Sequence, residues 1–257
     1  MILRRVIAHF RKQEWTAIAL DFLIVVVGVF VGLQVSNWNA ARQNNDLAAS
    51  YIERLHGDIE LERALWGKTI EYFGTAREYG RAAMAGFSKP TEELDEQWLI
   101  ALYQASQVWF AAPNRSTFDE LQSTGRIVNI RDENLRTVVS NHYQRVTQTG
   151  FTLVQSSQYR RVARLYIHED IQSAVRGQCG DKWVTDERNF FFVALPEHCD
   201  IDLRDDLVRA EIANLHNNAE VRQELRFHLS VLDAQIGVMT NASETATATL
   251  MKLETTQ

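Results

Sequence analysis

Proline is scarce in this 257-residue chain, at 3 residues, and glycine is modest at 12. A protein of many short strands draws its turns from those two residues, so a many-stranded β fold is disfavoured and a mostly helical chain is expected. Cysteine is scarcer still: two residues are too few for a Cys-rich zinc module or a disulfide-dense scaffold. An excess of positive charge is also missing. With 27 Lys and Arg against 33 Asp and Glu, the formal net charge of −6 gives no uniform field for gripping phosphate backbones, and no nucleic acid is expected as partner. The 46% hydrophobic and 23% charged content belongs to a folded chain rather than a disordered one.

What is present is one long apolar run. From Ala17 to Val35 the chain reads AIALDFLIVVVGVFVGLQV, interrupted only by Asp21 and Gln34. As a helix it measures about 28 Å, close to the ~30 Å hydrocarbon thickness of a bilayer. Trp15 and Trp38 flank it as interfacial anchors do. Arg4, Arg5, Arg11 and Lys12 precede the run, whereas only Arg42 and Arg54 follow closely, so the positive-inside rule keeps the N-terminus in the cytoplasm and exports the rest. The rival reading is a cleaved signal peptide, because Phe22–Leu33 fits an h-region. It lacks a cleavage site: Ala40 sets Trp38 at −3, and Ala41 sets Asn39 there. The domain plan is a cytoplasmic tail at 1–14, a transmembrane helix at 15–38 and a periplasmic helical domain at 39–257.

Apolar residues then recur at Leu47, Tyr51, Leu55, Ile59, Trp66, Ile70, Phe73 and Ala76, in steps of three or four except at Glu62. That is one stripe of a long amphipathic helix, and no strong breaker separates it from the span. Lys89-Pro90 ends it, and a second helix opens at Thr91 with Leu94, Trp98, Leu102 and Ala105 inward. A short helix from Ser116, opening with an acidic capping box, stops at Gly125. Ile127–Ile130 is expected to be extended, and a long helix capped by Asp132 to run to about Val175 with a kink at Gly150. Residues 177–200 read as a loop excursion. Two helices follow, from Leu203 to about His216 and from Asn218 or Ala219 to about Leu253, and the Thr/Ala-rich end after Thr245 is expected to fray. The fold class expected is all-α, an N-terminal transmembrane helix continuing into an antiparallel helical bundle.

Within the span, Gly28 and Gly32 form a GxxxG spacing that shares a helix face with Asp21 and Val25. Small residues four apart let a second helix approach closely, which favours self-association or pairing with another membrane protein's span. The competing reading is that glycine is common in membrane helices and that Asp21 merely reaches the headgroups or Arg11 and Lys12. Both stay open. Cys179 and Cys199, 20 positions apart in an exported segment, are expected to form a disulfide. Glu53 and His56 have a di-iron spacing without the second pair such sites need, and His168-Glu169-Asp170 lacks the second His of a zincin, so no metal or cofactor is expected. Arg160, Arg161 and Arg164 read as a solvated helix face, and Trp66, Trp98 and Trp109 as core.

Asp21–Gly28, then Gly32-Leu33-Gln34-Val35-Ser36-Asn37-Trp38-Asn39, and far downstream Phe118-Asp119-Glu120-Leu121-Gln122-Ser123-Thr124-Gly125-Arg126 with Asn134–Arg136 to Tyr143 together resemble a bacterial family of uncharacterised single-span membrane proteins. These segments cover about a fifth of the chain, and Leu20-Asp21 stands where that family carries Gly-Glu. The resemblance implies a bacterial inner-membrane protein and brings no activity with it. The function expected is a membrane-anchored helical interaction or sensing module with the lipid bilayer as partner. The alternative is a tethered enzyme or ligand-binding protein whose pocket is assembled from distant residues.

Overall fold

A computed structural model describes residues 15–110, 112–154, 157–186 and 189–255. The expected tail at 1–14, with its basic residues, lies outside the described residues. Among them are eight α-helices, which we number α1 (Trp15–Gly86), α2 (Glu96–Gln104), α3 (Ser116–Ser123), α4 (Glu133–Val154), α5 (Tyr159–Tyr166), α6 (Glu169–Cys179), α7 (Asp205–His216) and α8 (Ala219–Glu254). One antiparallel hairpin, β1 (Lys182–Thr185) with β2 (Phe191–Ala194), sits between α6 and α7.

The apolar run and the amphipathic stripe are one uninterrupted helix of 72 residues, about 108 Å long. Its two parts live in different surroundings. Phe22 and Trp38 are 70% and 69% exposed, as is nearly every apolar side chain between them, whereas Tyr51, Leu55, Ile59, Trp66, Phe73 and Ala76 are buried. Antiparallel α8 runs the length of the buried part, and α4 joins them at the end nearer the apolar run, giving a three-helix bundle there.

The core stacks in three layers along α1. Nearest the run, Tyr51, Leu55 and Ile59 meet Phe118 and Leu121 of α3, Leu135, Val139 and Tyr143 of α4, and Ala246, Leu250 and Leu253 of α8. In the middle, Trp66, Phe73 and Ala76 meet Val193 of β2 and Leu232 and Met239 of α8. At the far end Ala83 and Phe87 meet α2, α5, α6, α7 and the start of α8. Every residue of α2 from Trp98 to Gln104 is buried, as befits a short helix that is apolar all round. Its Trp98 indole donates to the Ala83 carbonyl at 2.9 Å and occupies the space a side chain at Gly86 would fill, so α1 closes on the residue that lets the ring approach.

Several local expectations change. The long helix expected from Asp132 to Val175 is three helices, while Gly150 lies inside α4 without ending it. The first break follows from Ser157, whose buried hydroxyl turns toward α8 and also accepts from the Tyr159 N–H. At the second, His168 caps α6 by accepting from the Asp170 N–H. Leu165 of α5 is exposed. Residues 177–200 are the end of α6 followed by the hairpin rather than a plain loop, since Trp183-Val184-Thr185 and Phe191-Phe192-Val193 supply the β-branched and aromatic residues a ladder prefers. Ile127 and Val128 lie in a 3-10 turn, not an extended link. Asp95, not Thr91, caps α2, and Asn114 accepts from the Ser116 N–H, making Ser116 the first helical residue rather than the cap. The Thr/Ala-rich end does not fray through Glu254: Ala246 and Thr249 are small enough to bring α8 close to α1, and Leu250 and Leu253 are buried beside them.

Candidate functional site

Most of the residues that carry chemistry act on α1, at three heights. Within the apolar run, Asp21, Gly28 and Gly32 share a face, all are exposed, and a side-chain carbon at either glycine would meet nothing within 4 Å. The face is open to a second helix. Among the described residues one helix is long and apolar enough to cross a membrane, with a mean hydropathy of 2.2 over its best window, none of it buried.

Just beyond the run, the Phe118–Arg126 segment closes on α1. Tyr51 donates to Glu120 at 2.6 Å, Arg54 donates to the other Glu120 oxygen at 2.8 Å, and Arg126 donates to the Tyr51 hydroxyl at 3.0 Å. The Tyr51 and Arg54 hydrogen bonds hold the Glu120 carboxyl below its ordinary range. Phe118 stacks on Tyr143 with ring centroids 4.4 Å apart. Gly125 adopts φ +68°, the left-handed conformation that brings Arg126 back toward α1. The segment that resembled a family motif is thus a clasp binding α3 and the following 3-10 turn to α1.

At the junction of the first two layers lies a polar seam, with one residue from each helix of the bundle. Glu62 of α1 and His142 of α4 pair at 3.0 Å with both side chains 1% exposed. Trp66 donates to the second Glu62 oxygen at 3.0 Å, and Thr249 of α8 meets the His142 Nδ1 at 3.3 Å. Thr249 donates its own proton to the Thr245 carbonyl and so turns lone pairs to the ring. Nε2 faces the carboxylate and Nδ1 faces the Thr249 hydroxyl, so both ring nitrogens have a partner. A cleft of about 420 Å³ opens beside it, lined by Arg145, Gln148, Asn241 and Thr245 among others.

A second buried histidine is wired differently. His228 Nε2 donates to the Ala105 carbonyl at 2.8 Å, leaving Nδ1 to accept from Ser157 at 2.6 Å, and Tyr159 stacks on the ring. The ring is neutral, and burial pushes its pKa below the ordinary value. Ser157 and His228 form a dyad in outline only: both are buried, and a carbonyl stands where a triad carboxylate would orient the base. Their role is to pin the α4–α5 turn to α8 and α2.

Cys179 and Cys199 are brought together, with Cα atoms 5.5 Å apart and a disulfide between them. Gln104 donates to the Cys179 carbonyl at 2.8 Å and Gln97 to the Cys199 carbonyl at 3.0 Å, so α2 carries both halves of the bridge. Glu53 and His56 do not converge on a metal position: His56 faces Glu254 and Glu60, and no group of three metal-ligating side chains occurs among the described residues. Trp66 and Trp98 are core, and Trp109 is half-buried against Tyr72. Arg160 and Arg161 are exposed, as expected of a solvated face, while Arg164 is half-buried; Arg160 and Arg164 both turn onto Gln107.

Sequence reasoning marked Glu62 only as an exception in an apolar stripe, which was the one available sign of the seam. Trp66 lies one turn away, but His142 lies 80 positions along the chain and Thr249 a further 107, and nothing local points to those two. No family model matches this chain, and neither a curated protein nor a solved structure is found to be similar to it.

Proposed function

We propose that this chain is a membrane-anchored interaction or sensing module, a bacterial inner-membrane protein of the kind its motif segments resemble. A single span at 15–38 holds a helical domain on the periplasmic side, with the N-terminus in the cytoplasm. The observation that carries the reading is the continuity of α1: one helix is exposed and apolar over its first part and forms the spine of a packed core over its second. Exposing that much contiguous apolar surface to water is costly, and a bilayer removes the cost. The asymmetry of basic residues about the run supports the orientation, and a disulfide fits an oxidising compartment. The open face at Asp21, Gly28 and Gly32 supports self-association or pairing with another protein's span.

Two measurements test the anchoring. Membrane fractionation should recover the intact chain only with detergent, and an alkaline phosphatase fusion after residue 60 should be active while one after residue 12 is silent. Recovery of the full-length chain from the soluble fraction, or the reverse fusion pattern, sinks the proposal.

A further inference from the structure

A cleft of about 430 Å³ opens between α2, α5 and the end of α6, and its wall is dominated by guanidinium groups. Arg160 donates to the Ser106 carbonyl at 2.8 Å and to the Gln107 side-chain oxygen at 3.2 Å; Arg164 donates to that same oxygen, also at 3.2 Å. One neutral amide oxygen therefore holds two cations side by side. The Arg164 guanidinium lies 3.5 Å from the centre of the Tyr103 ring, which fixes its plane. Its Nη1 is buried and has no hydrogen-bond partner. Arg176 stands at the rim, with Glu169 at 2.6 Å as its partner. Asp181, the one carboxylate in the wall, accepts from Tyr72 at 2.8 Å.

Neither Arg160 nor Arg164 has a carboxylate in ion-pair contact among the described residues. A chain with a formal net charge of −6 has here gathered like charges around a cavity and left a buried donor unsatisfied, a costly arrangement unless something anionic completes it. Burial, and then the charge of Arg176, lower the Arg164 pKa to about 10, which is the same conflict seen from the proton's side.

We propose that this cleft binds a small water-soluble oxyanion, a phosphate or carboxylate group held by Arg160, Arg164 and Arg176 with Tyr103 and Gln107 as the rigid backing. Planar forks fixed by a ring and an amide suit bidentate recognition of such a group. Tyr72 of α1, whose hydroxyl meets Asp181 on the cleft wall, lies 34 residues beyond Trp38, about 50 Å along the helix, so a headgroup of the anchoring bilayer does not reach it. The cleft supplies a ligand class to the sensing function proposed above, and its chemistry does not depend on the anchor.

The test uses the full chain in detergent. Its thermal unfolding and calorimetric binding are followed with sodium phosphate and sodium succinate, each against sodium chloride at equal ionic strength. Saturable stabilisation by at least one of the two oxyanions is expected, weakened tenfold or more in Arg164→Gln and in the more exposed Arg160→Gln, with Arg209→Gln on α7 unchanged. If Arg164→Gln does not fold, Arg160→Gln decides. Stabilisation by neither anion beyond chloride overturns the proposal, as does unaltered binding by a folded Arg160→Gln chain. Failure of the anchoring reading registers in fractionation instead, so the two are separable.

Discussion

Replacing His142 with alanine should damage this protein more than almost any other single change at a polar residue. The substitution leaves the Glu62 carboxylate where it is, 1% exposed, with the Trp66 indole as its remaining donor at 3.0 Å. Removing one partner of a buried hydrogen bond leaves the other unsatisfied, at about 1–3 kcal/mol and more where that group is charged, set against a total stability of about 5–15 kcal/mol for a domain. Glu62→Leu combined with His142→Leu removes both polar side chains and leaves only the Trp66 N–H unpaired, a loss offset in part by the added apolar contact. The double variant should therefore be more stable than His142→Ala, and the cycle built from Glu62→Leu, His142→Leu and the double should give a coupling of several kcal/mol. Urea unfolding of the full chain in detergent, followed by far-UV circular dichroism, measures each corner. A cost below about 1 kcal/mol for His142→Ala, or single effects that simply add, would refute the reading of Glu62 and His142 as a coupled buried pair.

Three further outcomes are expected. Cys179→Ser with Cys199→Ser should lower stability by about 3 kcal/mol for a loop of 20 residues, read by denaturant unfolding with and without reductant; equal midpoints for wild type and variant under oxidising conditions would contradict it. His228 is neutral when folded, with its pKa pushed below the ordinary ~6.5, so the unfolded chain binds the extra proton. Its contribution is complete above pH 6.5 and is lost as the pH falls from there toward the folded value, at up to about 1.4 kcal/mol per pH unit; His228→Gln should flatten that window, and parallel stability–pH curves would exclude the assignment. Gly28→Ile with Gly32→Ile should reduce self-association in a membrane two-hybrid assay, and an unchanged signal would remove the pairing surface.

Much of the helical plan was legible because helix periodicity is a local signal. The stripe from Tyr51 to Ala76, the cap at Asp132 and the start of α8 at Asn218 all rest on residues within a turn or two of one another. The disulfide was legible for a different reason, since two cysteines admit one pairing. Reading failed where a long-range contact overrode local pattern. Periodicity alone carries a helix straight from Asp132 to Val175, but Ser157 reaching His228 across 71 positions breaks it. The Thr/Ala-rich end looks weak by composition, yet small residues are what allow α8 to lie close to α1 there. Of the chemistry, the solvated face expected at Arg160, Arg161 and Arg164 holds for the first two, whereas the half-buried seat of Arg164 on Gln107 and Tyr103 was not legible, because those residues lie more than 50 positions away.

The geometry of α1 constrains how two copies joined through the span would stand. At about 100° per residue, Asp21, Gly28 and Gly32 point in one direction, and the buried stripe through Tyr51, Leu55, Glu62 and Trp66 points about 150° away from it. Carried past the apolar run, the small-residue direction emerges at Asp46, Ser50 and Gly57, which are all exposed. That direction is open through the apolar run, but just beyond it Asp46 and Ser50 share a pocket wall with Asn129, Ile130, Arg131 and Asp132, so the chain after the 3-10 turn borders the face there. Two copies joined at Gly28 and Gly32 would therefore be held by close van der Waals contact within the apolar run, because Asp46, Ser50 and Gly57 are small or polar and offer little apolar area.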